Sequence, residues 1–143
     1  MADAATRTEN LTLDFWLKAN SQATSAPATV YLALFTSDDS TGLTAENLEA
    51  GTLTNEVSTS GTAYARQAIT FGTITDGVVS NSGTVTFPTA TANYGTVTFC
   101  AICDSATAGA GNVIFYGDLT SAKLIETNDT MQFSAGSVSV TLA

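Results

Sequence analysis

The sequence contains no histidine, and it has only four basic residues against thirteen acidic ones, which gives a formal net charge of −9. A chain without a basic stripe cannot neutralise phosphates, so we expect no binding to nucleic acid. The same acidity disfavours anionic membrane surfaces, and no apolar run approaches the roughly 18 residues that a membrane-spanning helix needs. We therefore expect neither nucleic acid nor membrane as a partner.

Catalytic motifs are lacking as well. A Ser or Thr nucleophile needs a neighbouring base, and without histidine only Lys18, Lys123 or a carboxylate remains for that role. Neither lysine lies in a recognised motif, and no GxSxG sequence is present. The thirteen acids offer many pairs for a glycosidase-like site, but nothing in the sequence singles one out. The sequence predicts a protein that is not an enzyme and has no cofactor.

Cysteine is scarce, and its two copies form a single CxxC, Cys100 to Cys103. A redox pair and half of a zinc site are the two functional interpretations. On a strand, residues three apart point to opposite faces and lie about 10 Å apart, beyond disulfide reach. A tetrahedral zinc site lacks a second CxxC or a histidine. We therefore predict two buried or half-buried free thiols.

Charged residues make up only 12% of the chain, about half of the usual share. Part of the exterior is therefore expected to pack against another molecule.

The first residues lack the basic and apolar regions of a signal peptide. We expect the protein to be made in a cytoplasm and to stay there until assembly or lysis.

Threonine is the commonest residue, and period-2 patterns dominate the second half of the chain. At 143 residues the chain fits one domain. Strands are predicted at residues 29–36, 64–71, 83–87, 96–103, 112–116, 130–133 and 137–142, with the first of them in a central position. The predicted fold is all-β, a single β-sandwich or jelly-roll-like domain with one short N-terminal helix and a long acidic loop.

One segment, residues 8–20, has helical periodicity. Thr8 or Asn10 is predicted to cap the helix, and Leu13, Trp16 and Leu17 fall at i, i+3 and i+4 on one face. We predict an N-terminal arm and helix over residues 1–26, followed by the β-sandwich over residues 27–143.

The extended loop is predicted over residues 37–61, with a helical turn at residues 44–50. It carries Asp38, Asp39, Glu46 and Glu49. Loops longer than about 12 to 15 residues are often functional or ordered by a partner. These carboxylates either form a solvated surface or gather around Ca²⁺, although no EF-hand spacing is present. Together with Leu13, Trp16 and Leu17 they are the predicted interface residues.

Several segments, read in order, resemble a family of small tailed-bacteriophage virion proteins that are often labelled tail fibre or decoration proteins. The matching segments are residues 11–18, 27–36, 64–66, 87–91, 94–98, 102–104, 116–120, 133–136 and 139–142. Where relatives often carry aromatic residues, this chain has Cys100 and Cys103. The resemblance implies a structural virion component without catalysis, assembled as a homotrimer.

Two functions are compatible with this resemblance. The first is a capsid decoration, or cement, protein that binds the phage major capsid protein on the outer shell and reinforces the contacts between capsomers. The alternative is a tail-associated fibre or tip protein that binds a host surface receptor. A chain of 143 residues without a repetitive shaft favours the shell.

Overall fold

The computed structural model describes residues 3–17, 26–36 and 44–142. Its elements are, in chain order, β1 (Asp3–Ala4), α1 (Thr6–Leu17), β2 (Val30–Thr36), α2 (Thr44–Glu49), β3 (Gln67–Ile69), β4 (Val78–Ser80), β5 (Val85–Thr86), β6 (Gly95–Cys103), β7 (Val113–Ile125), β8 (Gln132–Phe133) and β9 (Ser139–Thr141). Most of the regular secondary structure consists of β-strands, and the sheets are open. One short helix lies at the N-terminal end. The prediction of an all-β, sandwich-like fold is confirmed.

The largest sheet has the strand order β1-β7-β6-β2-β3, and all its neighbours are antiparallel. Strand β2 lies in the interior, as its apolar sequence predicted. Residues 55–57 continue the β3 side of β2, because Val57 N–H donates to the Leu34 carbonyl and Thr36 N–H donates to the Asn55 carbonyl. The apolar run of β2 is thus paired along both edges.

One face of this sheet packs against two smaller sheets, β4-β9 and β5-β8. Leu32 and Leu34 of β2 point into this layer, where they meet Phe87 and Val140. We call this the first core. It is the interior that the sandwich prediction requires, because it lies between two layers of strands.

The opposite face of the sheet is also buried. Phe35 of β2 and Cys103 of β6 point away from the first core and pack with Ala5 and with Leu48 of α2. We call this the second core. A strand that is buried on both faces needs apolar residues at consecutive positions, which explains why the β2 sequence runs apolar instead of alternating.

Strand β7 is longer than the predicted strand at residues 112–116. On one side it pairs with β6, with shifts in register between Val97 and Phe99 of β6. On the other side it pairs with β1 only at Phe115 and Tyr116. Within the described residues, the outer edge of β7 beyond Tyr116 has no strand partner.

The start of the helix differs from the prediction. It begins at Thr6, and the Ala5 carbonyl accepts the N–H groups of Thr8 and Glu9. The Thr8 hydroxyl donates to the Ile114 carbonyl of β7 at 2.9 Å, so neither Thr8 nor Asn10 caps the helix. The prediction of the cap was wrong because β1 and Ala5 pair with β7 and so fix where the helix begins.

The predicted loop at residues 37–61 is more structured than a surface loop. The helical turn expected at residues 44–50 is present as α2, whose Leu48 is fully buried in the second core. The predicted strand at residues 64–71 is shortened to β3, and β4 was missed because its apolar run is only two residues long. Residues 37–43 lie outside the described residues.

Candidate assembly interface

A buried ion pair joins Arg66 to Glu56. The Arg66 side chain is fully buried, and the Glu56 side chain is 5% exposed. Arg66 Nε lies 2.7 Å from Glu56 Oε1, and Nη2 lies 2.8 Å from Oε2, so the guanidinium holds the carboxylate through two parallel hydrogen bonds. Pairs of this geometry are the strong form of an arginine–carboxylate contact.

The pair is the centre of a larger network that fixes the loop at residues 105–110. Arg66 Nη1 donates to the carbonyls of Ser105 and Ala110, at 2.8 and 2.9 Å. Glu56 accepts the Gly109 N–H at 2.7 Å and the Tyr64 hydroxyl at 3.0 Å. The network therefore joins the residue 56–66 segment to the residue 105–110 loop.

The protonation of this network follows from its contacts. Burial raises the pKa of Tyr64 far above its usual range, and the Glu56 charge adds to that shift. Burial by itself lowers the pKa of Arg66, but the hydrogen bonds to Glu56 and the charges of Cys103, Glu56 and Tyr64 together more than offset this, and the pKa is raised. Arg66 therefore stays charged and Tyr64 stays a neutral donor, so the network keeps one arrangement.

Sequence reasoning did not find this network. It placed Glu56 in an acidic loop, and it placed Tyr64 and Arg66 in the predicted strand at residues 64–71 and in the family resemblance, without connecting them to Glu56. The available signal was the spacing: Tyr64 and Arg66 are two residues apart in a strand-like pattern and therefore share a face. An arginine on an inward face needs a buried carboxylate as its partner.

The two cysteines are free, as predicted. Cys100 packs against the first core, whereas Cys103 lies in the second core, so the expectation that they point to opposite faces is also confirmed. Burial raises the pKa of Cys100 to about 11 and that of Cys103 to about 12. Both thiols are therefore protonated at neutral pH.

We expect both thiols to react slowly with iodoacetamide while the protein is folded. Because the thiolate is the nucleophile, labelling at pH 8 should be at least about 200-fold slower than in urea, where the pKa returns to about 8.5. Mass spectrometry at timed intervals measures the rates, and the urea-unfolded protein provides the control. Complete labelling of folded protein at the unfolded rate would contradict the burial of the two thiols.

Helix α1 exposes its apolar residues. Leu13, Trp16 and Leu17, the predicted interface residues of this segment, are 54%, 76% and 76% exposed, and Phe15 is 60% exposed. The Phe15 and Trp16 rings meet edge to face with centroids 5.2 Å apart. We call Leu13, Phe15, Trp16 and Leu17 the helix patch. No residue of α1 is buried, so the patch is open to another molecule.

The predicted acidic residues are only partly described. Glu46 and Glu49 are exposed on α2, and Asp38 and Asp39 lie outside the described residues. Burial is the main cause that raises the pKa of Tyr116, and the charges of Glu49, Asp3, Glu9 and Glu46 add to it. These four carboxylates therefore share one side of the molecule, which we call the acidic face. Among the described residues, no group of three or more potential ligands is placed to hold a metal ion.

A groove of about 470 Å³ is lined by β6 and β7 of the largest sheet and by residues 131–139. The apolar part of its lining includes Cys100, Ile102, Phe115, Leu119, Met131, Phe133 and Val138, and the polar part includes Asp118, Thr120, Ser121, Lys123, Gln132 and Ser134. We call it the edge groove. The sequence did not reveal it, because strands far apart in the chain supply its two sides.

Comparison with known proteins gives one family. The model of the family described as podophage GP4 fiber I protein gp80 matches residues 3–141. No curated protein matches the chain. In the part of the chain that the structure describes, no helix is long and apolar enough to cross a membrane. The predicted resemblance to phage virion proteins is confirmed, and because the match spans almost the whole chain, this protein belongs to the podophage GP4 fiber I protein gp80 family of phage structural proteins.

Proposed function

We propose that this chain is a non-catalytic structural subunit of the fibre apparatus of a tailed-phage particle, and that it assembles through the helix patch. The family takes its name from a fibre protein, which supports a place in that apparatus. The helix patch is the observation that carries the proposal. Four large apolar side chains are exposed on a domain whose two cores are otherwise well packed.

The size of the helix patch supports a role in assembly. With about 150–250 Å² for each aromatic side chain and the observed exposures, the patch presents on the order of 500 Å² of apolar surface. Patches of about 300–600 Å² are the largest that monomeric proteins usually expose, and they are often functional. A standard interface takes about 800 Å² from each partner, so the patch supplies a part of one side, because Phe15 is two residues from Leu13 and lies on the other side of the helix.

The acidic face offers a second contact. Glu46 and Glu49 on α2, together with Asp3 and Glu9, give this side of the molecule a negative charge that suits a partner with a basic patch. Attraction between exposed charges is screened by salt. A contact through the acidic face therefore weakens as the salt concentration rises, whereas a contact through the helix patch persists.

Capsid decoration is the second candidate function, with the phage major capsid protein as the partner. The observation in its favour is that the described residues form a sandwich without the repetitive shaft of a long fibre. A cement protein adds buried area between capsomers, which must be lost before the shell opens. Both functions use the same surfaces and include a homotrimer, and they differ in the location of the chain on the particle.

Cryo-electron microscopy of the whole particle tests the proposed location. Density for this β-domain at the fibres or the tail is the expected result. Density between capsomers on the outer shell, with none at the tail, would overturn the fibre proposal in favour of decoration.

A double substitution in the helix patch, Trp16→Ser with Leu17→Ser, tests the proposed surface. Because truncating the central apolar residues of an interface removes most of its affinity, we expect the copy number per particle to fall about tenfold or more. Quantitative mass spectrometry of purified particles measures the copy number. Ile74→Ser is the matched control, since Ile74 is also an exposed apolar residue, at 71%, but lies outside the patch. Normal incorporation of the double variant would refute assembly through the helix patch.

A further inference from the structure

We infer that the N-terminal arm of one copy docks on strand β7 of a second copy, so that neighbouring chains exchange arms, an inference that rests on the proposed assembly of the chain. We call residues 3–17 the arm, which consists of β1, Ala5 and α1. In the structure the arm lies on the outer edge of β7, where Asp3 pairs with Tyr116. Because all copies have the same sequence, the β7 edge of one copy fits the arm of another equally well.

The attachment of the arm is concentrated around Ala5. The Ala5 N–H donates to the Ile114 carbonyl at 3.0 Å, and the Ala5 side chain is fully buried in the second core. The Thr8 hydroxyl donates to the same carbonyl at 2.9 Å, but no residue of α1 is buried. The arm therefore docks through a few hydrogen bonds and one small side chain, and it can leave this site without any change in the first core.

Exchange of the arm costs few contacts. Segments with few buried apolar contacts, such as a two-residue strand and a helix without a buried face, are the first to open in a folded protein. An exchanged arm makes the same contacts on the neighbouring copy, so these contacts cancel between the two states. The balance is therefore decided by the connection between the arm and β2, and by the surfaces that exchange brings together.

The connection is long enough for exchange. Twelve residues, 18–29, join Leu17 to Val30, and a chain of that length spans at most about 40 Å. A domain of this size has a radius of gyration of about 15 Å, so the arm can reach a copy that packs beside its own. The connecting sequence contains no valine, leucine, isoleucine or aromatic residue, so it offers no large apolar side chain to a core.

The exposed side of α1 favours the exchanged state. Thr8 and Leu11 are half-buried on the side of the helix that contacts β7. Leu13, Trp16 and Leu17 lie on the opposite side, and each is more than half exposed. An exchanged arm runs from its own subunit to its neighbour, so this side of the helix lies where two subunits meet. Burial of its apolar surface stabilises the exchanged state and has no counterpart in an isolated copy.

A pair of cysteines at the docking site tests the inference. Asp3→Cys with Tyr116→Cys places two thiols at directly paired positions of antiparallel strands, where a disulfide can form. In an exchanged arm the disulfide joins two chains, whereas in an arm that docks on its own subunit it joins two parts of one chain. Val78→Cys with Thr141→Cys is the matched control, because these positions are paired between β4 and β9, outside the arm.

Unlabelled and nitrogen-15-labelled chains of each variant are mixed in urea, refolded together at about 100 µM and oxidised. For the arm pair we expect covalent oligomers on a non-reducing gel, and about half of the disulfide-linked peptides should join an unlabelled chain to a labelled one. The control pair should migrate as a monomer, and its linked peptides should carry a single label. Circular dichroism checks folding, and Ala4→Cys with Phe115→Cys is a second pair at the same site.

Linked peptides of a single label in the arm pair would overturn the inference. So would the absence of the link when the control pair forms its own disulfide. Asp3→Cys alone should stay monomeric, and equal amounts of covalent oligomer from this single variant would mean that random contacts, not docked arms, cause the links.

Incorporation into particles separates this inference from the proposed function. If the arm pair links only within single chains and the locked protein still reaches the wild-type copy number, measured by quantitative mass spectrometry, then arm exchange fails and the proposed function stands. Links between chains in protein recovered from particles are the result that the inference expects.

Discussion

Replacing Arg66 with alanine should lower the free energy of unfolding by about 3–5 kcal/mol, because it leaves the Glu56 carboxylate buried without its counter-charge. The change also removes the donor to the Ser105 and Ala110 carbonyls, so the loop at residues 105–110 loses its attachment. Urea denaturation, followed by circular dichroism, measures the loss. Arg7→Ala is the matched control: Arg7 is exposed, and its removal should change stability by no more than about 0.5 kcal/mol.

A double-mutant cycle separates the ion pair from the rest of the network. Removing one partner of a buried pair costs more than removing both, because the second change leaves no uncompensated charge. The variant with both Glu56→Gln and Arg66→Met should therefore lose less stability than the sum of the two single changes. Additive losses would mean that Glu56 and Arg66 do not interact in solution.

Replacing Phe35 with alanine should cost about 3–5 kcal/mol of unfolding free energy. Phe35 is fully buried in the second core, where it packs with Leu48 of α2 and with Cys103. Because Leu48 is the fully buried side chain of α2, the cavity should also loosen this short helix. Differential scanning calorimetry gives the change in melting temperature, and urea denaturation gives the free energy.

The control for Phe35 is Trp16→Ala. Tryptophan is larger than phenylalanine, but Trp16 is 76% exposed, so its truncation should change stability by less than about 0.5 kcal/mol. A loss as large as that of Phe35→Ala would mean that Trp16 packs within its own subunit. Such a result would contradict the exposed helix patch.

The sequence predicted the interior strands best. Strand β2 was recognisable because both of its faces are buried, and β6 because its apolar pattern is long. The opposite orientation of Cys100 and Cys103 followed from strand geometry alone. These features depend on local periodicity, which a single sequence displays directly.

Other features depend on contacts between distant segments, and the sequence did not reveal them. The pairing of β1 with β7 set the start of α1, and β7 extends to Ile125, well beyond residue 116 where the predicted strand ends. The network of Glu56 and Arg66 connects residues that look like a loop and a strand. For the candidate site, the sequence predicted the apolar residues of α1. It did not predict the groove, because four separate strands supply its lining.

The network around Arg66 has a further consequence for variation within the family. It holds the residue 105–110 loop through main-chain atoms: the carbonyls of Ser105 and Ala110 and the N–H of Gly109. Ala106 and Thr107 are exposed between these attachment points. The loop can therefore keep its shape while the side chains of Ala106 and Thr107 change, and a displayed peptide inserted between these two residues would be presented on a fixed frame.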